Sequence, residues 1–101
     1  GLSQLLMTVR EVRQTANPDL RIEGVLLTMA DNRNNLSQQV EADARNTLSG
    51  LVYQTVIPRN VRLSEAPSHA MPVLQYDSSS KGSAAYRELA KEFLARQSVA
   101  A

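Results

Sequence analysis

The sequence predicts an α/β fold built on a parallel strand–helix–strand unit, with further helices on its flanks. Two apolar runs, residues 22–29 and 51–57, have the length and the residue types of strands. An amphipathic helical pattern separates them, and both connections are short. Two strands joined through a helix in this way form a right-handed crossover, so we expect them to be parallel neighbours in one sheet.

The composition fits one modest globular domain or part of a larger one. The chain has 101 residues, 43% of them hydrophobic, and no apolar run approaches the roughly 20 residues that span a bilayer. It contains no cysteine, which excludes disulfides and thiolate metal sites and fits a cytosolic protein. With 11 basic and 10 acidic residues it is not polybasic, so nucleic-acid binding would depend on a few placed arginines. The chain opens at Gly1 within a helical pattern, and we therefore expect a piece of a longer protein whose first half is missing.

Amphipathic helices are predicted at both ends of the chain. The first starts at Leu2 and stops before Pro18, because a residue that precedes proline avoids the α region. Its apolar face predicts a helix that covers a core. The last helix includes residues 85–96, and its Glu92 and Arg96 have the i,i+4 spacing of an ion pair, which we expect on the solvent-exposed side.

The strand–helix–strand unit lies between these two helices. Its first strand is apolar on the consecutive residues 25–27, which predicts burial of both faces, as in a parallel sheet covered by helices. The helix after it has an apolar stripe on one side, an ion pair between Glu41 and Arg45 on the other, and an end at Gly50. The stripe consists of Leu36, Val40, Ala44 and Leu48.

An irregular segment is predicted after the second strand. Pro58 ends that strand, because proline has no amide hydrogen for the ladder, and residues 59–67 predict a loop that the sheet holds in place. Residues 72–76 predict a short edge strand or another extended segment. The Ser80-Lys81-Gly82 run predicts a helix start, since the glycine-rich pattern of a phosphate loop is absent from it.

The loops that follow the two strands carry the candidate binding groups. Parallel strands end at the same edge of a sheet, and ligands of open α/β sheets bind at that edge. Arg33, Arg59, Asn60 and Arg62 are therefore candidates for a single surface. These residue types indicate an edge that faces an anion or a nucleotide, although the residues alone leave open whether Arg59 and Arg62 are ordinary surface charges.

The sequence predicts no catalytic residue and no metal site. His69 is the one histidine and is expected to be a solvated loop residue, so the paired-histidine spacing of a metal site is absent. No serine or threonine lies in a recognised nucleophile elbow. Asp31 and Glu65 are expected to pair with neighbouring arginines rather than to act as an acid or a base.

Runs of residues from one end of the chain to the other match those of one family. The longest is the fourteen-residue run 55–68, Thr-Val-Ile-Pro-Arg-Asn-Val-Arg-Leu-Ser-Glu-Ala-Pro-Ser. With its flanks it resembles the carboxyl-terminal part of the ParA/Soj chromosome-partitioning ATPases. The flanking matches are Gly1–Leu6, Glu23–Met29, Asp31-x-Arg33-x-Asn35-Leu36, Pro72-Val73, Tyr76-Asp77, Ser80–Gly82, Ala85-Tyr86 and Leu89-Ala90-x-Glu92.

The resemblance implies a deviant-Walker P-loop ATPase fold and a role in segregating chromosomes or plasmids. Proteins of this family dimerise around ATP and Mg, bind DNA without sequence preference, respond to a ParB-type centromere-binding partner, and work in the cytoplasm at the nucleoid rather than at a membrane. Residues 1–101 would form the carboxyl-terminal segment of one such domain, with the phosphate loop and switch regions upstream of Gly1. Phosphoryl transfer depends on a cradle for the phosphates and the metal ion, so we expect this segment alone to hydrolyse no ATP and to bind none tightly.

Carried onto matching positions, the resemblance implies two groups of binding residues. Arg33 and Arg62 would contact the DNA backbone, because the planar, always-charged guanidinium suits phosphate and reads no sequence there. Glu65 would face the nucleotide or the second protomer. The adenine pocket would consist of Thr28, Met29, Pro58 and Asn60, with Arg59 in the same motif.

Two alternative functions are considered for this chain. The first is a non-catalytic α/β module that binds nucleic acid or protein without ATP. The second is a MinD-like ATPase that positions itself on membranes through a basic amphipathic tail. Residues 97–101 carry no charged side chain, which disfavours the second alternative.

Overall fold

A computed structural model describes residues 2–100 and confirms the predicted α/β class. Within these residues, no helix combines the length and the apolar character that a membrane crossing requires. The elements in chain order are α1 (Leu2–Thr15), β1 (Val25–Ala30), α2 (Asn35–Thr47), β2 (Val52–Pro58), α3 (Val61–Glu65), a 3₁₀ helix (Ala66–His69), α4 (Val73–Tyr76) and α5 (Lys81–Ala100).

The two strands pair in parallel, as the sequence predicts. Their register places Val25 opposite Val52 and Ala30 opposite Pro58, with irregular pairing between these ends. After Pro58, which has no amide hydrogen, the amide of Arg59 donates to the carbonyl oxygen of Ala30 at 2.9 Å. The ladder therefore continues to the carboxyl ends of both strands, and their loops leave the sheet side by side.

The core lies between β2 and α5. Ile57 is 1% exposed, and Val52 and Tyr53 are also buried where α5 packs along β2. Close packing continues at the start of α5, where a Cβ on Gly82 would lie 2.6 Å from Cγ of Leu63. This contact places the first turn of α5 directly against α3.

The pair of Glu92 and Arg96 forms as predicted, but its expected location on the solvent-exposed side is wrong. Arg96 Nη2 lies 3.3 Å from Glu92 Oε2, and both side chains are largely covered by β2. The Glu92 carboxylate accepts from the backbone amides of Gln54 and Thr55 at 2.7 and 2.8 Å. Arg96 donates to two carbonyl oxygens near the start of β2 and stacks 4.0 Å above the ring of Tyr53. The pair therefore caps the free edge of β2, which no second strand covers among the described residues.

The apolar faces of α1 and α2 are less buried than predicted. None of the residues of α1 that the structure describes is buried, and Leu5 and Met7 are exposed. In α2 only Ala44 of the expected stripe is buried, while Leu36 is 66% exposed. The apolar residues 25–27 of β1 are half-buried, so the prediction that both faces of this strand are covered is wrong for the described chain. Among the described residues, no element fully covers these apolar faces.

Two segments predicted as irregular or extended are helical. Residues 61–69 form α3 and the 3₁₀ helix, because the side chain of Asn60 caps α3 and Pro67 lies at a first-turn position that tolerates its missing amide hydrogen. Residues 73–76 form α4 instead of an edge strand, with Pro72 in an extended conformation just before it. The buried side chain of Val73 accounts for this difference, because α4 and α5 pack against each other there.

Candidate functional site

The candidate site is the rim where β1 and β2 end. The turn after β1 begins at Asp31, whose backbone amide donates to Ser37 Oγ at 3.1 Å, and Asn34 caps α2 by accepting from the amide of Leu36 at 2.9 Å. Both contacts attach this loop to the start of α2. The turn is therefore rigid at its base, and Arg33 projects from it with 91% of its side chain exposed.

Arg33 has one acidic neighbour. Asp31 Oδ1 accepts from the backbone amide of Arg33 at 3.0 Å and from its Nε at 3.3 Å. The backbone hydrogen bond from Arg33, followed by its side chain, holds the pKa of Asp31 below its ordinary value. Asp31 is thus an anion at neutral pH, and it pairs with an arginine, as the sequence predicts. The other donors of the Arg33 guanidinium face solvent.

The turn after β2 is organised by Asn60. Its Oδ1 accepts from the amide of Arg62 at 3.2 Å, which starts α3 immediately after the strand. The two N–H donors of the Asn60 side-chain amide remain available to another partner. Asn60 is therefore a helix cap whose acceptor is in use, a role that the sequence analysis did not foresee.

Arg62 is held by two carboxylates. Its Nη1 lies 3.0 Å from Oε2 of Glu65, and its Nε lies 3.2 Å from Oδ2 of Asp77. The side chain is 51% exposed, so about half of it remains open to solvent. The hydrogen bond and charge of Glu65 raise the pKa of Arg62 further above its already high value.

Glu65 is the centre of a small side-chain network. It accepts from the hydroxyl of Tyr76 as well as from Arg62, and the ring of His69 stacks on Tyr76 with centroids 4.7 Å apart. The Tyr76 hydroxyl and then Arg62 lower the pKa of Glu65, while the hydrogen bond to Glu65 and then burial raise the pKa of Tyr76. Glu65 thus pairs with an arginine as the sequence predicts, and His69, expected to be solvated, is exposed and packs one ring face on Tyr76.

The two turns meet in a basic concavity of about 600 Å³. A neighbouring concavity of about 630 Å³ contains Arg62 and Glu65 and shares one wall with the first. The shared wall consists of Arg59, Asn60, Val61 and Lys81. Arg33, in the first concavity, and Arg62, in the second, are therefore on one continuous surface, which we call the basic rim and define as Arg33, Arg59, Asn60, Arg62 and Lys81.

The remaining predicted nucleotide residues lie in a separate groove. Thr28 and Met29 are exposed at the end of β1 and line an apolar concavity of about 260 Å³ against the start of α2. Met29 has a φ of 56°, a conformation that costs a residue with a Cβ and that is enriched at functional sites. Ala30 lines both this groove and the basic rim, so the two adjoin, and Pro58 lies opposite Ala30 in the sheet.

Lys81 of the rim and the adjacent Asp77 were not predicted as binding candidates from the sequence. Lys81 was predicted only as part of a helix start, which is correct, and Asp77 was named only among the residues that match the family. Neither residue is near Arg33 or Arg62 in sequence, so only the packing of α5 against α3 brings them to the rim. The residues that the structure describes include no group of three or more histidine, aspartate or glutamate side chains that could hold a metal ion.

Comparison with known proteins relates the chain to one family. Residues 1–73 match the model of the CobQ/CobB/MinD/ParA nucleotide binding domain. The chain is 58% identical over 95 residues to the sporulation initiation inhibitor protein Soj of Bacillus subtilis, a match that covers 94% of this chain and 38% of that protein. It is 54% identical over 97 residues to the chromosome partitioning protein ParA of Caulobacter vibrioides, covering 96% of this chain and 36% of that protein.

A third relative has the same coverage pattern. The chain is 51% identical over 96 residues to the chromosome-partitioning ATPase Soj of Thermus thermophilus, covering 95% of this chain and 39% of that protein. The chain thus spans less than two fifths of the length of each of these three relatives.

Proposed function

Because this chain belongs to the CobQ/CobB/MinD/ParA nucleotide-binding family, we propose that it is the carboxyl-terminal part of a ParA-type ATPase that segregates chromosomes or plasmids. The complete protein dimerises when ATP and Mg are bound, binds DNA without sequence preference, and is stimulated by a ParB-type partner. The observation that carries this proposal is the basic rim, which brings Arg33, Arg59 and Arg62 together from two turns at the carboxyl edge of a parallel sheet. Its place in the cell would be the cytoplasm, at the nucleoid.

DNA backbone binding is supported by the exposure and the charge of the rim. Arg33 exposes most of its side chain to solvent, and Arg62 exposes about half of its side chain. Guanidinium groups bind phosphate oxygens through a planar set of donors, and such contacts do not depend on base sequence. We therefore assign Arg33 and Arg62 to the DNA backbone. Glu65 would act on DNA only indirectly in this proposal, because it pairs with Arg62 and holds that side chain beside Asp77.

Nucleotide binding is supported by the apolar groove and by Asn60. The groove beside Thr28 and Met29 offers an apolar surface to a purine ring, and Pro58 lies at the adjoining strand end. The free side-chain amide of Asn60 is a donor for a purine ring nitrogen, whereas its oxygen already caps α3. We propose that Thr28, Met29, Pro58 and Asn60 contact the base, with Arg59 beside them.

The residues present fit a base better than they fit a triphosphate with its metal ion. A phosphate loop needs successive backbone amides exposed by clustered glycines, and the four glycines of this chain are far apart. The described residues also lack a carboxylate cluster for a divalent cation. ATP bound by the complete protein supplies the phosphoryl group, and this segment alone is expected to hydrolyse none.

The test of the DNA role is a charge-reversed pair of arginines in the complete protein. We expect Arg33→Glu with Arg62→Glu to abolish retardation of a random-sequence DNA duplex at low salt while binding of a fluorescent ATP analogue persists. The matched control reverses Arg10 and Arg13, which lie together on another surface. Equal retardation by both variants would exclude the assigned role for the rim.

A second function fits one observation. The basic rim consists entirely of residues of this chain, which has no phosphate-loop pattern, so the rim would also suit a non-catalytic nucleic-acid-binding module. Measuring DNA binding of the complete protein with and without ATP separates the two functions. Binding that requires ATP supports the partition ATPase, and equally strong binding without nucleotide supports the module.

A further inference from the structure

Lys81 occupies the point where the two halves of the basic rim join. It is the first residue of α5, its side chain is exposed, and it lines both the concavity that contains Arg33 and the one that contains Arg62. We propose that Lys81 is a further phosphate-binding residue of this surface, with the DNA backbone as its ligand. This inference rests on the proposed DNA-binding function and adds a contact from a third segment of the chain.

Acidic neighbours distinguish Lys81 from Arg33 and Arg62. Arg33 is paired with Asp31, and Arg62 is paired with both Glu65 and Asp77. Within the described part of the chain, no carboxylate lies within 4.0 Å of the Lys81 ammonium. A phosphate that approaches Lys81 therefore displaces only water, whereas at Arg62 it competes with two carboxylates already in place.

The position of Lys81 in its helix has no evident benefit for stability. The amino-terminal end of a helix carries a partial positive charge, so a cation in the first turn of the twenty-residue α5 is electrostatically unfavourable. Asp77, the nearest preceding acid, is occupied by Arg62 and by the backbone amide and hydroxyl of Ser79. A residue that breaks a local rule without a compensating contact is expected to serve function.

The geometry favours a backbone phosphate over a base. Lysine is a compact point charge on a flexible stem, and such a contact adds affinity without sequence preference. Both turns and the start of α5 contribute cations to the rim. These cations lie along an open surface and do not surround a pocket, because both concavities are open and each contains at least three rim residues. An extended polyanion can engage all three segments together.

The experiment compares Lys81→Gln with Lys91→Gln in the complete protein. Lys91 is an exposed lysine further along α5, paired with Glu88, so its removal is matched in charge but lies away from the rim. Binding to a fluorescent random-sequence duplex is measured by anisotropy across a salt series with saturating ATP. We expect Lys81→Gln to weaken binding severalfold and to reduce the slope of log K against log salt by roughly 0.9 per protomer, with no change for Lys91→Gln.

Two further measurements make the result decisive. The thermal unfolding midpoint of Lys81→Gln is expected to be unchanged or slightly raised, because the unfavourable charge at the start of the helix is removed. Binding of a fluorescent ATP analogue is expected to be unchanged, and a parallel loss of that binding would assign Lys81 to the nucleotide phosphates and overturn the inference. Wild-type salt dependence in Lys81→Gln would also overturn it while leaving the proposed function intact. A wild-type protein that binds no DNA would instead refute the proposed function itself.

Discussion

Replacing Glu92 tests the network of hydrogen bonds and an ion pair that joins α5 to the sheet. Its carboxylate accepts from the amides of Gln54 and Thr55, at 2.7 and 2.8 Å, and pairs with Arg96. Hydrogen bonds to a charged group contribute about 1.5–3 kcal/mol each, and the exposure of Gln54 lets water replace part of that. We expect Glu92→Ala to lower the free energy of unfolding by roughly 2–4 kcal/mol, a large fraction of the ~5–15 kcal/mol typical of a domain.

The same network predicts a pH dependence. Burial raises the pKa of Glu92, but the hydrogen bonds from Thr55 and Gln54 and the charge of Arg96 together outweigh burial and lower it. A carboxyl whose pKa is lower in the folded state stabilises the protein above its unfolded pKa, which for glutamate is about 4.3. That stabilisation is lost as the pH falls from about 4.3 through the folded pKa. Glu92→Gln should therefore lose less stability than the wild type over this acidic range.

Urea denaturation followed by circular dichroism, at neutral and acidic pH, measures both effects. The matched control is Glu88→Gln, an exposed glutamate on the same helix whose partner Lys91 is also exposed, and it should leave the unfolding curve unchanged. Amide hydrogen exchange adds a local readout, because the amides of Gln54 and Thr55 should exchange faster only in the Glu92 variants. Unchanged exchange at these two amides would refute the assignment of Glu92 as their acceptor.

Three further predictions follow from single contacts. Gly82→Ala should destabilise the protein by about 1–3 kcal/mol, as measured by urea denaturation, because its Cβ would lie 2.6 Å from Leu63; a stabilised variant would contradict that packing. Glu65→Gln should bring the raised pKa of Tyr76 back toward its ordinary value near 10, as measured by phenolate absorbance, and an unchanged titration would show that Glu65 is not its partner. Met29→Gly should weaken ATP-analogue binding by the complete protein but leave its unfolding midpoint nearly unchanged, because the side chain is 71% exposed and its φ of 56° suits glycine. Unaltered affinity would remove Met29 from the proposed base contacts.

Local pattern was sufficient for the parallel sheet and for the existence of the three longer helices. The apolar run at residues 25–27 and the four-residue spacing after it predict the strand–helix–strand unit, because side-chain periodicity is a property of each element by itself. The start of the last helix at Lys81 was predicted for the same reason, although the pattern said nothing of where that lysine would lie.

Local pattern failed where a distant contact decides the conformation. Residues 73–76 form a helix rather than an edge strand because Val73 is buried where α4 meets α5. Helical spacing predicts that Glu92 and Arg96 pair, yet the free edge of β2 decides that the pair is covered and not solvent-facing. Each outcome depends on a neighbour 10 or more residues away, which no short window of sequence contains.

The sequence by itself determined the element types, the parallel crossover and the family, because these follow from periodicity, chain connectivity and specific runs of residues. Tertiary structure alone decided which charges from distant segments of the chain meet. It pairs Arg62 with Asp77 across fifteen positions of sequence and brings Lys81 to the rim without an acidic partner among the described residues. The physical reason is that electrostatic interactions depend on distance in space, and here the packing of α5 against α3 sets that distance.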